Sequence, residues 1–326
     1  MRRTLSLFAF LLSLTLWDGA LARSHSLRTI KQSVNNNVVF LMGGLPGATF
    51  NELANDIAVV VSDAKNLRVL SVEGGAAVQN LKDVLYLRNI DMGLTTLEAM
   101  NYIDASGEPE VRQRLAYIAP LFPNPLQILA RGGAKNIKDL NGTRVNFNNK
   151  GSATAQFVPK VFKTLGVNVQ EFYMPQADAL EKMRRGELDA TVCSCPGTVP
   201  AFANVKPDSG LQFVSVPYEK VLQAKYLPGK IVSEDYPALI AKGQGVDTIS
   251  ASTVLISYNW PKRTVRYERT AKFIDAFFSK FDEFHKPPRS PLWKSVNLGA
   301  SIPGWTRFPA AEDWLAKWRA HQTAAE

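Results

Sequence analysis

Two stretches of this chain place small and hydroxylated residues where a backbone could grip a ligand. The first is Gly43-Gly44-Leu45-Pro46-Gly47, between the apolar run Val38 to Met42 and a stripe of Phe50, Leu53, Ala54, Ile57, Ala58 and Val61 at helical spacing. Thr49-Phe50-Asn51-Glu52 fits a capping box that opens this helix. A buried strand thus hands over to a helix N-terminus, whose free N–H groups favour an anion; a packing turn with no ligand is the alternative. The second stretch is Asn149-Lys150-Gly151-Ser152-Ala153-Thr154. It follows the strand-like run Thr143 to Asn148 and precedes a helix with Val158, Val161, Phe162 and Leu165 on one face, which Pro159 should dent. Ser152 and Thr154 would donate hydroxyl bonds to a carboxylate, Thr95 or Thr96 would add another, and Phe50 would wall one side. The candidate ligand set is Gly44, Thr49, Phe50, Thr95, Thr96, Gly151, Ser152, Ala153, Thr154 and Cys195. The competing reading makes these polar residues helix caps only.

Other chemistries have little to work with. No Gly-Lys-Ser/Thr follows the first loop, so it is not a phosphate loop, and its G-G-x-x-G spacing is not the dinucleotide fingerprint. The three histidines (His25, His285, His321) stand far from one another and from Ser194 and Cys195, the two tempting nucleophiles. Neither a metal cluster nor a His-based triad is expected, and no cofactor. Cys193 and Cys195 are the only cysteines and sit at i and i+2 on an expected strand. Their separation along an extended strand is close to the ~6.8 Å limit for a disulfide. Two buried thiols are therefore expected, with a strained disulfide as the alternative.

The elements that must hold these loops alternate strand and helix, which argues for α/β architecture. Leu67 to Val72, Met92 to Leu94 and Ala190 to Cys193 read as strands. Val78, Leu81 and Leu85 mark one helix, and Ala179 to Arg185 another that stops at Gly186. Leu115 to Leu121 and Leu126 to Ala130 read as two strands, because Pro123 and Pro125 should forbid a regular central strand between them. The layout recurs: Arg88-Asn89-Ile90-Asp91-Met92 resembles Arg185-Gly186-Glu187-Leu188-Asp189-Ala190. Two lobes facing one cleft are expected, with residues 23–130 and 230–326 in the first and 131–229 in the second, and crossings near Ala130 and between Phe213 and Lys230. Phe273, Phe277, Phe281 and Phe284 read as core of a long helix, and Pro309 as the start of a final one bearing Trp314, Leu315 and Trp318.

Residues 1–22 read as a secretory signal: Arg2 and Arg3, an apolar stretch from Leu5 to Trp17, then Ala20-Leu21-Ala22 as the cleavage site. A soluble periplasmic product beginning at Arg23 follows, its roughly 300 residues ample for two lobes. The formal charge of +9 hints at anions, yet no run of five basic residues marks a polyanion-binding tail, so no nucleic-acid partner is expected.

The order of motifs resembles the TAXI-type solute receptors of TRAP transporters, over roughly Val38 to Trp318. The resemblance rests on Gly43 to Phe50, on Gly74-Gly75-Ala76-Ala77-Val78-Gln79-Asn80-Leu81, on Phe122-Pro123-Asn124-Pro125, on Gly151-Ser152-Ala153-Thr154 and on Gly186-Glu187-Leu188-Asp189-Ala190. Leu45, Thr49-Phe50 and Asn124 depart from that family's usual threonine, paired tyrosines and glutamate. The resemblance implies a two-lobed, type II periplasmic binding-protein fold, each lobe a mainly parallel sheet flanked by helices. It also implies capture of a small carboxylate (a dicarboxylate, oxo acid or amino acid) for a TRAP membrane permease, by a protein expected to be a monomer. The alternatives are an exported ligand sensor of the same fold or an exported enzyme.

Overall fold

The structure, a computed structural model, describes residues 37–325 apart from 47, 64, 65, 76, 108, 109, 151 and 224, together with Thr29 and Asn35. The expected leader 1–22 and the loop glycines Gly47 and Gly151 lie outside the described residues. Strands β1 (Val38–Met42), β2 (Arg68–Val72) and β3 (Met92–Thr96) alternate with helices α1 (Thr49–Val61), α2 (Ala77–Tyr86) and α3 (Leu97–Ala105). A long strand β4 (Leu115–Ala130) leads to β5 (Arg144–Asn146), α4 (Ala153–Thr164), β6 (Gln170–Phe172), α5 (Gln176–Arg184) and β7 (Ala190–Ser194). Strands β8 (Gln212–Phe213), β9 (Leu227–Val232) and β10 (Gly245–Tyr258) follow, then helices α6 (Val265–Ser279) and α7 (Pro309–Ala325).

The sheet runs β2-β1-β3-β10-β4-β7-β5-β6, with β8 beside β4 and β9 beside β10. Each lobe has a parallel trio, β2-β1-β3 or β7-β5-β6, and the two trios are joined through the antiparallel pair β4 and β10. The helices cover both faces. Leu53, Ile57, Phe273, Phe277 and Leu315 pack on one face of the first lobe; Leu81, Val84, Met100 and Ile103 pack on the other. In the second lobe Val158, Val161 and Phe162 of α4 cover one face, while Leu129, Cys193, Phe202 and Tyr236 form a core on the other. The phenylalanine stripe of α6 is core as expected, though the helix ends at Ser279 and a short 3-10 turn, Phe281–His285, carries Phe281 and Phe284.

One expectation is overturned outright: β4 is a single strand of 16 residues that runs through Pro123 and Pro125, and through Pro120 before them. Residues two apart along a strand direct their nitrogens to the same side. Pro123 and Pro125 keep their pairing with Ser252 and Ser250 of β10, and β7 joins the other edge of β4 only from Leu126 onward. A missing N–H there need break no ladder bond. Leu227–Val232 and the first part of Gly245–Tyr258 form an antiparallel pair, β9–β10.

The cores locate the passage between lobes. Leu121, Phe122 and Leu255 pack in the first lobe, while Leu126, Ile128 and Ile249 pack in the second. Ile231, Tyr236 and Ile240 also pack with second-lobe residues. We propose lobe boundaries inside the long strands, at 122–125 of β4 and 250–253 of β10. Asn124 Nδ2 donates to Thr253 Oγ1 (3.0 Å) between the two crossing strands.

The recurring Arg…Asp segments occupy equivalent places. Asp91 Oδ2 accepts the N–H of Phe40 on β1 (3.0 Å) and its other oxygen pairs with Arg269 of α6. Asp189 Oδ2 accepts the N–H of Arg144 on β5 (2.9 Å) and pairs with the same residue's guanidinium. Just before each aspartate the chain turns through a positive φ, 66° at Asn89 and 76° at Gly186. Both aspartates are therefore strand anchors.

Candidate functional site

Helix N-termini from both lobes meet at one place. Phe50 in the first turn of α1, Ala77 and Val78 at the start of α2, and Ala99 in the first turn of α3 pack against Ala153 and Phe157 of α4. Tyr102 of α3 adds a ring edge to Phe157, with centroids 6.0 Å apart. These helix starts gather at the C-terminal ends of the strands, although α1 covers one face of the sheet and α2 and α3 the other. Gly44 is required for this: a Cβ there would come within 2.9 Å of the Phe50 Cβ. Asn80, fully buried, ties the strand ends together by donating to the carbonyls of Gly43 (2.6 Å) and Leu94 (2.8 Å).

The expected capping box at Thr49 does not form. Thr49 is the first helical residue, the N-cap is Ala48, and no side chain caps α1. Its outermost N–H groups therefore face outward without a side-chain acceptor, in keeping with an anion-friendly helix start. Thr49 and Phe50 are half-buried. Ser152 is the N-cap of α4 and accepts the Ala155 N–H (3.1 Å), which leaves its own hydroxyl hydrogen to donate. Thr154 is buried and accepts the N–H of Ser194 (3.0 Å), fastening α4 to the end of β7. Thr95 and Thr96 turn inward. Thr95 Oγ1 donates to the Ala77 carbonyl (2.8 Å), while Thr96 caps α3 through Ala99 (3.3 Å) and its hydroxyl also bonds the Glu98 carboxyl. Phe50 and Ala153 thus come together directly. Ser152 and Thr154 belong to the same helix start, whereas Thr95 and Thr96 spend their hydroxyls on the scaffold.

Cys193 and Cys195 form a disulfide, against the expectation of two thiols. The strand ends at Ser194, so the chain is no longer extended through Cys195 and the Cα atoms are 5.3 Å apart, inside the range that a disulfide spans. Cys195 is therefore not a free nucleophile. Its loop is held by buried Gln127, whose Nε2 donates to the carbonyls of Cys195 (3.0 Å) and Gly197 (2.9 Å) and whose Oε1 accepts from Tyr236. Sequence reasoning missed Gln127, Phe157 and Glu98. A glutamine within an apolar strand is a weak signal of a buried amide; nothing in the sequence marks the other two.

A cavity of about 230 Å³ opens beside this cluster, also between the lobes, with Phe157 in the wall of both. Glu98 and Tyr226 line it, each less than a tenth exposed, and Lys160 and Lys225 are exposed. Burial pushes the Glu98 carboxyl up to about 7, against the smaller downward pull of its Thr96 hydrogen bond. No cluster of three or more metal-ligating side chains occurs among the described residues, and no helix there is long and apolar enough to cross a membrane.

Two α/β lobes are thus joined by paired crossing strands, with helix starts facing across the gap. The chain belongs to the NMT1-like family, whose model matches residues 43–293. No curated protein sequence matches it. Among solved structures it is similar to the periplasmic aliphatic sulphonate binding protein SsuA from Escherichia coli, with 16% identity over 86% of this chain and 83% of that one and a TM-score of 0.45. It is also similar to a TctC solute binding protein from Polaromonas, with 15% identity, 87% and 96% coverage and a TM-score of 0.47.

Proposed function

We propose that this member of the NMT1-like family is an exported solute receptor of the TAXI type, which captures a small carboxylate between its lobes for a TRAP membrane permease. The observation that carries the reading is the meeting of four helix N-termini, three from one lobe and one from the other, around Phe50, Ala77, Ala99 and Ala153. Each helix start favours negative charge by ~0.3–1 kcal/mol when exposed and up to ~2 when partly buried. Summed over several starts, that is enough to prefer a carboxylate to a neutral analogue of the same shape. The uncapped start of α1 and the Ser152 hydroxyl supply the donors. Export fits the Arg2-Arg3, apolar stretch and Ala20-Leu21-Ala22 order at the N-terminus, and the mature receptor would begin at Arg23 and act as a monomer.

The test is a thermal-shift screen of the mature protein against small carboxylates, followed by calorimetry of the best ligand, its primary amide and the variant Ala153→Asp. An acid in the first turn of a helix is tolerated by the helix dipole, so the fold should hold. That same acid would repel a bound carboxylate. The carboxylate should bind at least tenfold more tightly than its amide, and Ala153→Asp should weaken it by tenfold or more. A carboxylate that binds no better than its amide, or that ignores Ala153→Asp, would remove this site from the function.

A further inference from the structure

The interlobe cavity beside the helix-start cluster has a chemistry of its own. Its floor holds Glu98 of α3, 7% exposed, and the ring of Tyr226, 8% exposed. Among the described residues Glu98 forms no ion pair; the Thr96 hydroxyl and its own backbone N–H serve its carboxyl. A buried carboxylate without a counter-charge is costly, and a ligand cation beside it would remove that cost. Two aromatic walls already hold a cation of the protein itself. The ring of Tyr102 already has Lys160 Nζ 4.2 Å from its centroid, and the ring of Phe157 has the same nitrogen at 5.8 Å. The opposite charge lies outside: Lys160 and Lys225 are exposed residues of the second lobe, at the rim. Between floor and rim the lining is mostly apolar, from Phe157, Val161 and Leu222, with Asn101 and Thr164 as its polar members.

A buried acid at one end, two ammonium groups at the other and apolar walls between them are complementary to one kind of molecule. We propose that this cavity binds a small ω-amino acid, its ammonium on Glu98, its methylenes against Phe157, Val161 and Leu222, and its carboxylate between Lys160 and Lys225. An α-amino acid carries both charges on one carbon and cannot reach floor and rim together. Residues from both lobes line the cavity, so such a ligand would also hold the lobes closed. The proposal does not rest on carboxylate capture at the helix starts; the two sites share Phe157 as a wall and differ in every polar group.

Calorimetry of the mature chain at pH 8, where the Glu98 carboxyl is mostly ionised, tests it with 4-aminobutyrate and 5-aminopentanoate. Butyrate and pentanoate lack the ammonium, butylamine and pentylamine lack the carboxylate, and alanine has the charges adjacent. At least one ω-amino acid should bind tenfold or more tightly than all of these. Glu98→Gln should weaken it by at least tenfold, and the double variant Lys160→Met, Lys225→Met by a smaller factor. A urea melt of each variant checks that it is folded. No binding of either ω-amino acid at millimolar concentration, or an affinity unchanged in folded Glu98→Gln, overturns the proposal. An ω-amino acid that responds to Ala153→Asp and ignores Glu98→Gln also overturns it, and leaves the helix-start site standing. A carboxylate that ignores Ala153→Asp refutes that other site without bearing on this one.

Discussion

Glu98 shows what a single residue can hide in a sequence. It follows Thr96-Leu97 in the first turn of a helix, where an acid ordinarily complements the helix dipole at the surface. Here the second lobe covers it, and burial lifts its carboxyl from an ordinary 4.5 to about 7. The folded chain then holds this proton more tightly than the unfolded chain. This group's contribution to stability is fully present below about 4.5, falls as pH rises toward 7, and is constant above that, a loss of up to ~3 kcal/mol. Glu98→Gln cannot ionise, so it should be more stable than wild type at pH 8 and equally stable at pH 4.5. Urea unfolding at the two pH values measures this without any ligand. A variant less stable than wild type at pH 8 would mean that the ionised carboxylate is better served in the fold than its burial implies. Gly44 lies at the other extreme of legibility. Its place in a Gly-rich loop signals a close approach of backbone, and the missing Cβ is what lets the loop lie on the start of α1.

At the scale of elements, the helix-to-strand junctions before Asp91 and Asp189 repeat one device in two environments. Each aspartate holds the N–H of the neighbouring first strand of its lobe, so the shared layout read from Arg88 to Asp91 and Arg185 to Asp189 has a physical cause. The settings differ in burial. The side chains of Asp91 and Arg269 are 1% and 13% exposed, those of Asp189 and Arg144 26% and 35%. Asp91→Asn would leave the Arg269 guanidinium buried and unpaired and should cost ~3–5 kcal/mol. Asp189→Asn leaves Arg144 within reach of water and should cost less, ~1.5–3 kcal/mol, in line with hydrogen bonds to a charged group. Chemical denaturation of the two variants side by side decides it, and equal losses would contradict the burial argument. Elements also show where local rules were overridden. Pro123 and Pro125 read as a break because a central strand needs its N–H groups, but in β4 they fall where one neighbour has not yet joined.

For the whole molecule, the two lobes touch through a small set of side chains around Phe157, itself 4% exposed. The crossing pair β4 and β10, with Asn124 and Thr253 bonded between them, carries the chain from one lobe to the other. We propose the crossing at 122–125 and 250–253, where both strands leave one lobe for the other, as the hinge of a domain closure. Phe157→Ala removes the ring that fills the space between α2, α3 and α4. Its radius of gyration by small-angle scattering should exceed that of wild type in ligand-free solution, with unchanged helix content by circular dichroism. Equal radii would show that this ring does not hold the lobes together.

Local order in the chain determined much of this protein: strands ending in glycine loops, helix stripes at the right spacing, an aspartate at each junction, and hence two α/β lobes with helix starts at the strand ends. Those features depend on contacts between residues near in sequence or on a periodic face, which composition and spacing encode directly. The tertiary structure alone decided which hydroxyls are spent on the scaffold, as with Thr95 and Thr96, that Cys193 and Cys195 close a disulfide, and that the long strands rather than loops carry the chain between lobes. It alone placed Glu98 of one lobe under Lys160 and Tyr226 of the other. Burial, hydrogen-bond partnership and electrostatic environment are properties of residues distant in sequence, and they exist only once the two lobes have packed.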